Sequence, residues 1–374
     1  MNREGVSEGF KGLGLSKESL KSIKRKGFVK PTDIQAAVIP LLLRDDVDVV
    51  GQSQTGTGKT AAFALPVLEK LDPAKRDVQV LILTPTRELA IQVSDEISSL
   101  RGDERVRVQP IYGGQPIGPQ IRELRRGVHV VVGTPGRILD HLRRGTLQLD
   151  GLRYLILDEA DRMLDMGFVD DIDAIISYTP SKRRTLLFSA TMPHGVVMLA
   201  KKYMGKYKVL KVSEDRLIPK EVIQEYVEAD ERRKLDVLSN IIRPGFHGIV
   251  FCRTKADTRE LAWELRRRGF RAWALNGDMS QGAREKTLNR FRRGSLDVLV
   301  ATDVASRGLD IRGVSHVINY SPPDNPKDYL HRIGRTGRMG RRGKAITFVR
   351  PGEAHAFKRM VSTVGGNVSE FRQE

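Results

Sequence analysis

The chain has one cysteine, few aromatics and no long apolar run, and each shortage removes a class of function. Cys252 stands alone among 374 residues, which excludes an intrachain disulfide and any multi-cysteine metal site. It falls inside the apolar run GIVFC, the setting of a buried core thiol and not of a nucleophile. The seven histidines show no paired ligand spacing, so no zinc centre is expected. No stretch approaches the ~18 apolar residues of a membrane span, and the opening MNREGVSEGF lacks the apolar core of a secretion signal. A cytoplasmic protein with no membrane partner is therefore expected. Aromatics make up 6% of the chain and do not interleave with the polar motifs described below. Stacking platforms of the kind used for base readout are accordingly not expected.

What the chain has in excess is positive charge. The formal net charge is +18 with a pI near 10. From Glu221 onward there are 29 basic and 19 acidic residues, and before it 35 and 27, so both halves are basic. A polyanion meeting both halves, nucleic acid before membrane surface, fits this balance; simple solubility is the bland alternative. The stretches RRRG (266–269) and GRRGK (340–344) read as solvated charge before they read as an added grip on nucleic acid. Composition is that of a folded protein, and the length suits two domains, each able to bury a core.

Short β-rich runs alternate with helical-period segments throughout: VDVV, VLIL, VRVQPIY, VHVVV, YLIL, TLLF and YKVLKV, then IQEYVEA, GIVFC, RAWAL, DVLVA, HVINY and KAITFV. That rhythm predicts an α/β fold of parallel sheets flanked by helices. SEDRLIPKEV between the two sets is polar and aperiodic. The predicted domains are residues 1–212 and 222–374, with 213–221 as linker.

The sharpest motif is SQTGTGKT, lying between the strand VDVV and the helical AAFALPVLEKL. Ser53, Gln54, Thr55, Gly56, Thr57 and Gly58 read as a phosphate-binding loop whose amides and following helix start cradle phosphate oxygens. Lys59 would reach the β- and γ-phosphates, and the Thr60 hydroxyl would hold Mg²⁺. Ser53 stands where the generic pattern has its first glycine. About a hundred residues later the apolar strand YLIL ends in Asp158, Glu159 and Asp161. Paired with the loop, Asp158 would hold Mg²⁺ partly through water, and Glu159 would act as general base on the attacking water. Asp161 reads better as a brace to polar neighbours than as a ligand.

DEAD (158–161) occurs in order with SQTGTGKT, PTRELA (85–90), TPGR (134–137), SAT (189–191), ATDVASRGLD (301–310) and HRIGRTGR (331–338). This set resembles the DEAD-box ATP-dependent RNA helicases over most of the chain. The resemblance implies two tandem RecA-like domains, each a mostly parallel sheet flanked by helices, with ATP and Mg²⁺ bound between facing surfaces. GFVKPTDIQ is similar to the family's adenine-reading segment, which makes Thr32 and Gln35 nucleotide contacts; a glutamine amide can both donate and accept against adenine. Phe10 upstream would stack on the base, or serve as a buried packing residue. Asp310 would bond the ribose. Arg335 and Arg338 would be arginine fingers on the γ-phosphate, worth ~10³ to 10⁵ in rate. Ser189, Ala190, Thr191 and His331 would couple hydrolysis to domain movement. RNA contacts would come from Pro85, Thr86, Arg87, Gly113, Gly114, Thr134, Gly136 and Arg137. In the second domain they would come from Arg253, Gln281, Arg284 and Thr302. These residue types suit phosphate and sugar contacts, hence single strands or short duplexes with little sequence preference.

Three readings follow. The first is an RNA helicase that locally separates short duplexes and hydrolyses ATP to release. The second is an ATP-gated RNA clamp or chaperone that anneals or remodels RNA–protein complexes without productive unwinding. The third, a basic small-molecule P-loop kinase, leaves the second half idle. A DNA helicase is disfavoured by the adenine-reading segment and by DEAD in place of DEAH.

Overall fold

The computed structural model describes residues 8–53, 56–103, 105–212, 218, 221–306, 314–337 and 342–372, and the chain divides into two compact units, Met1–Ser213 and Glu214–Glu374. The first unit contains β1 (Asp48–Gln52), β2 (Val80–Leu83), β3 (Val108–Ile111), β4 (Val130–Gly133), β5 (Tyr154–Leu157), β6 (Arg184–Ser189) and β7 (Tyr207–Lys211). They form one sheet in the order β3-β4-β2-β5-β6-β1-β7, parallel at every pairing. The second unit contains β8 (Val222–Glu228), β9 (Gly248–Phe251), β10 (Ala272–Leu275), β11 (Val298–Ala301), β12 (His316–Asn319), β13 (Gly343–Val349) and β14 (Ser369–Glu370). Their order is β10-β11-β9-β12-β13-β8-β14, again all parallel. These are two tandem RecA-like domains. Every predicted apolar run is a strand, and only the two-residue β14 had no sequence signal.

The strands read as unbroken apolar runs because both of their faces are covered. Alternate residues go to opposite cores. Val49, Ile82, Val132, Ile156 and Phe188 pack against the helices Asp33–Arg44, Lys59–Glu69 and Arg87–Leu100, which contribute Val38, Phe63 and Val93. Val50, Leu81, Val131, Leu155 and Leu187 pack against Pro135–Arg143, Val169–Ser177 and His194–Tyr203, which contribute Ile138, Ile172 and Val196. Fully burying one such side chain is worth about 1.5–3 kcal/mol. The second unit repeats the split, with Val250, Val300 and Ile318 on one side and Ile249, Leu299 and Val317 on the other. Cys252 is fully buried in the first of these cores, where burial pushes its thiol pKa far up. The edge strand β3 tolerates Pro110, whose missing N–H faces no partner strand.

Since all strands run one way, the loops after β1 to β6 emerge at a single edge of the first sheet, where open α/β sheets place their chemistry. The motifs quoted above for the first half sit at that edge's loops, except GFVKPTDIQ, which precedes β1 and leads into the helix Asp33–Arg44. Among the described residues no helix is long and apolar enough to cross a membrane.

Candidate functional site

The strand order brings the phosphate loop, the acidic triplet and Ser189–Thr191 side by side, because β1 neighbours β6 and β6 neighbours β5. Gln52 is in register with Ser189, and Ser53 N donates to Ser189 O at 3.1 Å. Lys59 is buried and its ammonium donates to Ser53 O at 2.9 Å, which folds the loop over the helix start; Ser53 Oγ bonds Thr57 Oγ1 at 2.9 Å. Gly58 caps the helix Lys59–Glu69 at φ 85°, in the left-handed region. The loop residues Gln54 and Thr55 lie outside the described residues. Thr60 is the second residue of that helix and half-buried.

Gln35 is only 4% exposed. Its Oε1 accepts from Thr32 N at 3.0 Å and its Nε2 donates to Gly58 O at 3.2 Å. A Cβ at Gly58 would run into that amide. An amide side chain has two N–H groups and two acceptor lone pairs, so one of each is left for a base edge. Gln35 thus also ties the segment GFVKPTDIQ to the glycine-rich loop after β1, a link the sequence did not announce. Phe10 is fully buried, its ring centroid 6.5 Å from that of Phe28 in a stacked pair inside the core. This burial is the packing role that the sequence offered as the alternative to stacking on a base.

Beyond β5, Asp158 and Glu159 are 4% and 8% exposed. Asp158 Oδ1 accepts from Glu159 N at 3.0 Å. Burial pushes the Asp158 carboxyl up to about 6 against the pull of Lys59, and the neighbouring Glu159 and Asp161 charges add to the push. Glu159 has φ 52°, the one non-glycine positive φ among the described residues, a conformation costing about 1–2 kcal/mol. It caps the short helix Ala160–Asp165. Asp161 takes the bracing role. Its Oδ2 accepts from Thr191 N at 3.0 Å and from Thr191 Oγ1 at 2.6 Å, its own N–H donates to Ser189 Oγ at 3.3 Å, and Ser189 Oγ donates to Thr191 O at 2.6 Å. Sequence reasoning missed Arg162. It is 3% exposed, its Nε lies 3.4 Å from Glu159 Oε2, and among the described residues neither Nη nor Glu159 Oε2 has a hydrogen-bond partner. The signal available was an arginine three residues after Glu159 at a helix start.

The PTR, YGG and TPGR segments follow β2, β3 and β4, three neighbouring strands. Thr86 caps the helix Arg87–Leu100 by accepting from Leu89 N at 3.3 Å. Gly114 has φ 82°, and a Cβ there would run into the Arg87 guanidinium, so these two motifs pack directly. Arg137 donates to Gln115 O at 3.2 Å and to Gln120 Oε1 at 3.4 Å; His141 Nε2 bonds the same Gln120 Oε1 at 3.0 Å. Burial, then the Arg137 charge, hold the fully buried His141 below its ordinary pKa. Thr134 caps the helix Pro135–Arg143, and Gly114 and Gly136 are exposed. Pro85 is buried, which leaves it a turn residue with little surface for a ligand.

In the second unit Arg253 is exposed and paired with Asp324 at 2.6 Å. Arg284 donates to Ala305 O at 3.1 Å, and Thr302 is buried, its Oγ1 accepting from Ala305 N at 3.4 Å. Gln281 begins the helix Gln281–Arg292, its side chain outside the described residues. Arg332 is buried, with Nε and Nη2 on Asp303 at 2.8 and 2.7 Å and Nη1 on Ser321 O at 2.7 Å; it is a structural clamp. His331 is half-buried and Arg335 is 6% exposed. Asp310 and Arg338 lie outside the described residues, as does most of the 213–221 linker.

Comparison with known proteins agrees with this layout. The DEAD/DEAH box helicase family model matches residues 32–199, and the helicase conserved C-terminal domain model matches residues 233–340. The chain is 50% identical over 355 residues to the DEAD-box ATP-dependent RNA helicase CshA of Geobacillus kaustophilus, covering 94% of this chain and 76% of that one. It is 50% identical over 341 residues to a probable ATP-dependent RNA helicase of Methanocaldococcus jannaschii, covering 91% of each. Its fold matches that of S. cerevisiae Dbp5 bound to RNA and ADP BeF3 with a TM-score of 0.87 at 33% identity, over 98% of this chain and 96% of that one. The chain belongs to the DEAD-box ATP-dependent RNA helicase family.

Proposed function

We propose that this protein is an RNA-stimulated ATPase that binds RNA across both domains, locally separates short duplexes and hydrolyses ATP to let go, working in the cytoplasm. The observation that carries the reading is the side-by-side emergence of the phosphate loop, Asp158–Glu159 and the Asp161–Thr191 brace at one edge of a parallel sheet. Relatives that are RNA helicases by name supply the substrate class.

In this reading the loop amides and Lys59 hold the triphosphate, and Thr32 and Gln35 read the adenine. Glu159 takes the proton of a water whose oxygen attacks the γ-phosphorus; the bond to the β–γ bridging oxygen breaks, leaving ADP and phosphate. Arg335 and Arg338 stabilise the charge that develops on the transferred group, and Asp310 holds the ribose. Thr60 and Asp158 would hold Mg²⁺. The fit is supported by the crowding of buried carboxylates, seen in the raised Asp158 pKa and the unpartnered Glu159 Oε2. When bound, the ion supplies positive charge at the phosphates. Asp161, tied to Thr191, would report the state of the nucleotide to Ser189–Thr191, with His331 as the counterpart in the second domain. Arg87, Gly114, Gly136 and Arg137, with Arg253, Gln281 and Arg284, would meet the RNA backbone, and residues 213–221 would join the two domains.

The deciding experiment measures phosphate release with and without added RNA, in wild type and Glu159→Gln. Wild type should be stimulated by RNA. The variant should lose about 10²–10⁴-fold in turnover, the usual worth of a general base, yet still form an ATP-dependent RNA complex. Failure to form that complex would overturn the assignment of Glu159. Arg335→Ala should also abolish hydrolysis; unchanged turnover there would leave the second domain without a part in the chemistry.

A further inference from the structure

The chain has only two tryptophans, both exposed in the second unit and both beside arginine. Trp273 is 37% exposed on β10, an edge strand. Along β10, Ala272 enters the core shared with the helix Lys255–Arg267, and Leu275 enters the core shared with Gln281–Arg292. Trp273 takes the side of Leu275 by the two-residue alternation of a strand. The Arg266 Cζ lies 4.8 Å from its ring centroid and the Arg290 Cζ 4.9 Å, one from each of those helices, meeting at the sheet rim. Trp263 is 49% exposed, with the Arg267 Cζ 4.7 Å from its ring and Arg267 itself paired with Glu264 at 3.6 Å. Residues 263, 266 and 267 share one helix face by their spacing, so the two tryptophan–arginine groups form one stripe.

Two features point this stripe at a ligand. First, Arg271 is paired with Asp297 and Arg268 with Asp236, whereas Arg266 and Arg290 form no ion pair among the described residues. Their guanidinium planes are held by aromatic rings that leave the charge unneutralised. Second, an edge strand needing only protection from pairing is served by lysine. The edge strand β7 of the first sheet does this with Lys208 and Lys211 and no tryptophan. Solvent-facing tryptophans flanked by guanidinium groups, those on Trp273 without an ion pair, are the equipment for stacking bases and meeting phosphates. Arg290 also lies on the helix whose start bears Gln281 and Arg284, about 14 Å along it at 1.5 Å per residue.

We propose that this rim is an accessory contact for single-stranded RNA: bases stack on Trp263, Trp273 and their guanidinium groups, and phosphates meet Arg266 and Arg290. The proposal rests on the RNA reading above, which places Gln281 and Arg284 on the strand that would continue to the rim. It revises the expectation that so few aromatics leave no stacking platform, and that RRRG is only solvated charge; position matters here more than abundance.

Because all tryptophan emission comes from this stripe, the test needs no label. The full-length protein is titrated, with Mg²⁺ and a non-hydrolysable ATP analogue, with oligouridylates of about 6 and about 24 nucleotides, bracketing the roughly 4–16 that one single-strand module covers. The longer strand should quench emission well beyond the shorter, and Trp263→Phe and Trp273→Phe should each remove part of the signal. Trp273→Ala and the pair Arg266→Ala, Arg290→Ala should weaken the longer RNA about 10-fold, on the scale of one lost stacking contact, with RNA-stimulated ATPase by the short strand unchanged. Equal quenching by both lengths, or unchanged long-strand affinity in the variants while short RNA still stimulates hydrolysis, overturns the rim site and leaves the RNA helicase reading standing. A rim that stays silent to RNA would serve a protein partner or edge protection. Loss of all RNA stimulation in wild type would instead sink the reading on which the proposal rests.

Discussion

Arg162 and Glu159 form a buried pair at the end of β5, at the position where the proposed function places the general base. Glu159 is held in a left-handed conformation that a carboxylate residue rarely adopts, and the nearest cation is an arginine buried just as deeply. Removing one partner of such a pair costs more than the pair itself contributes, since the other charge stays buried alone. Arg162→Met keeps the stem volume and removes the charge. It should lower kcat about 10-fold or more, with a smaller change in the KM for ATP. A purely structural role for Arg162 would lower stability and leave the kcat of the folded enzyme unchanged. Neither the strain at Glu159 nor the burial of Arg162 was legible in the sequence: a backbone angle has no one-letter code, and arginine is ordinarily read as surface. Phe10 left two readings open for the converse reason, since a packing ring and a base-stacking ring are the same letter. Asp161 was legible as a brace because a third acid beside two employed ones has to find donors.

At the scale of the element, the strands were the easiest part to foresee. A parallel strand buried on both faces leaves an uninterrupted apolar run, and β2, β4, β5 and β6 are buried at every position. What the runs could not convey is strand order, which is set by how the helices cross and which alone brings β1 beside β6. Proline did not break helices here: Pro40 and Pro66 both sit inside them, where proline normally argues for a break, and the apolar AAFALPVLEKL still read as helical. Strand β12 shows how burial makes an element respond to pH. His316 at its start stacks on Phe246 with centroids 4.8 Å apart and stands in register with Lys344. Burial, then the Lys344 charge, push its imidazole down to about 4 from an ordinary 6.5. Between those values the unfolded chain takes up a proton that the folded strand refuses. The stabilisation is therefore complete above pH 6.5 and is lost as the pH falls toward 4. His316→Phe, which keeps a ring against Phe246, should show a shallower fall in thermal midpoint across that window. The difference should amount to about 1–2 kcal/mol after discounting for solvent screening. Parallel curves for variant and wild type would show that other groups govern acid unfolding.

Across the whole molecule, charge is the property that both domains share. A net +18 spread over two halves has two physical uses that salt separates. If the charge only keeps the protein soluble, RNA affinity depends on a few fixed hydrogen bonds and responds weakly to ionic strength. If the two domains and the rim grip one strand, each phosphate contacted releases counterions, and log affinity falls by ~0.7 per contact for each decade of salt on single strands. Measured by RNA-dependent ATPase at saturating ATP, the RNA concentration for half-stimulation should therefore rise steeply with salt. Turnover at saturating RNA should change little, because the buried groups around Asp158 and Glu159 are poorly screened. Short and long strands should also differ in slope, and Arg266→Ala with Arg290→Ala should shift the long-strand slope toward the short one. A flat response would return the excess charge to solubility. A steep response identical for both lengths would confine the grip to the motif-bearing edge. Only a length-dependent slope requires a basic surface that continues past the motifs to the rim of the second sheet.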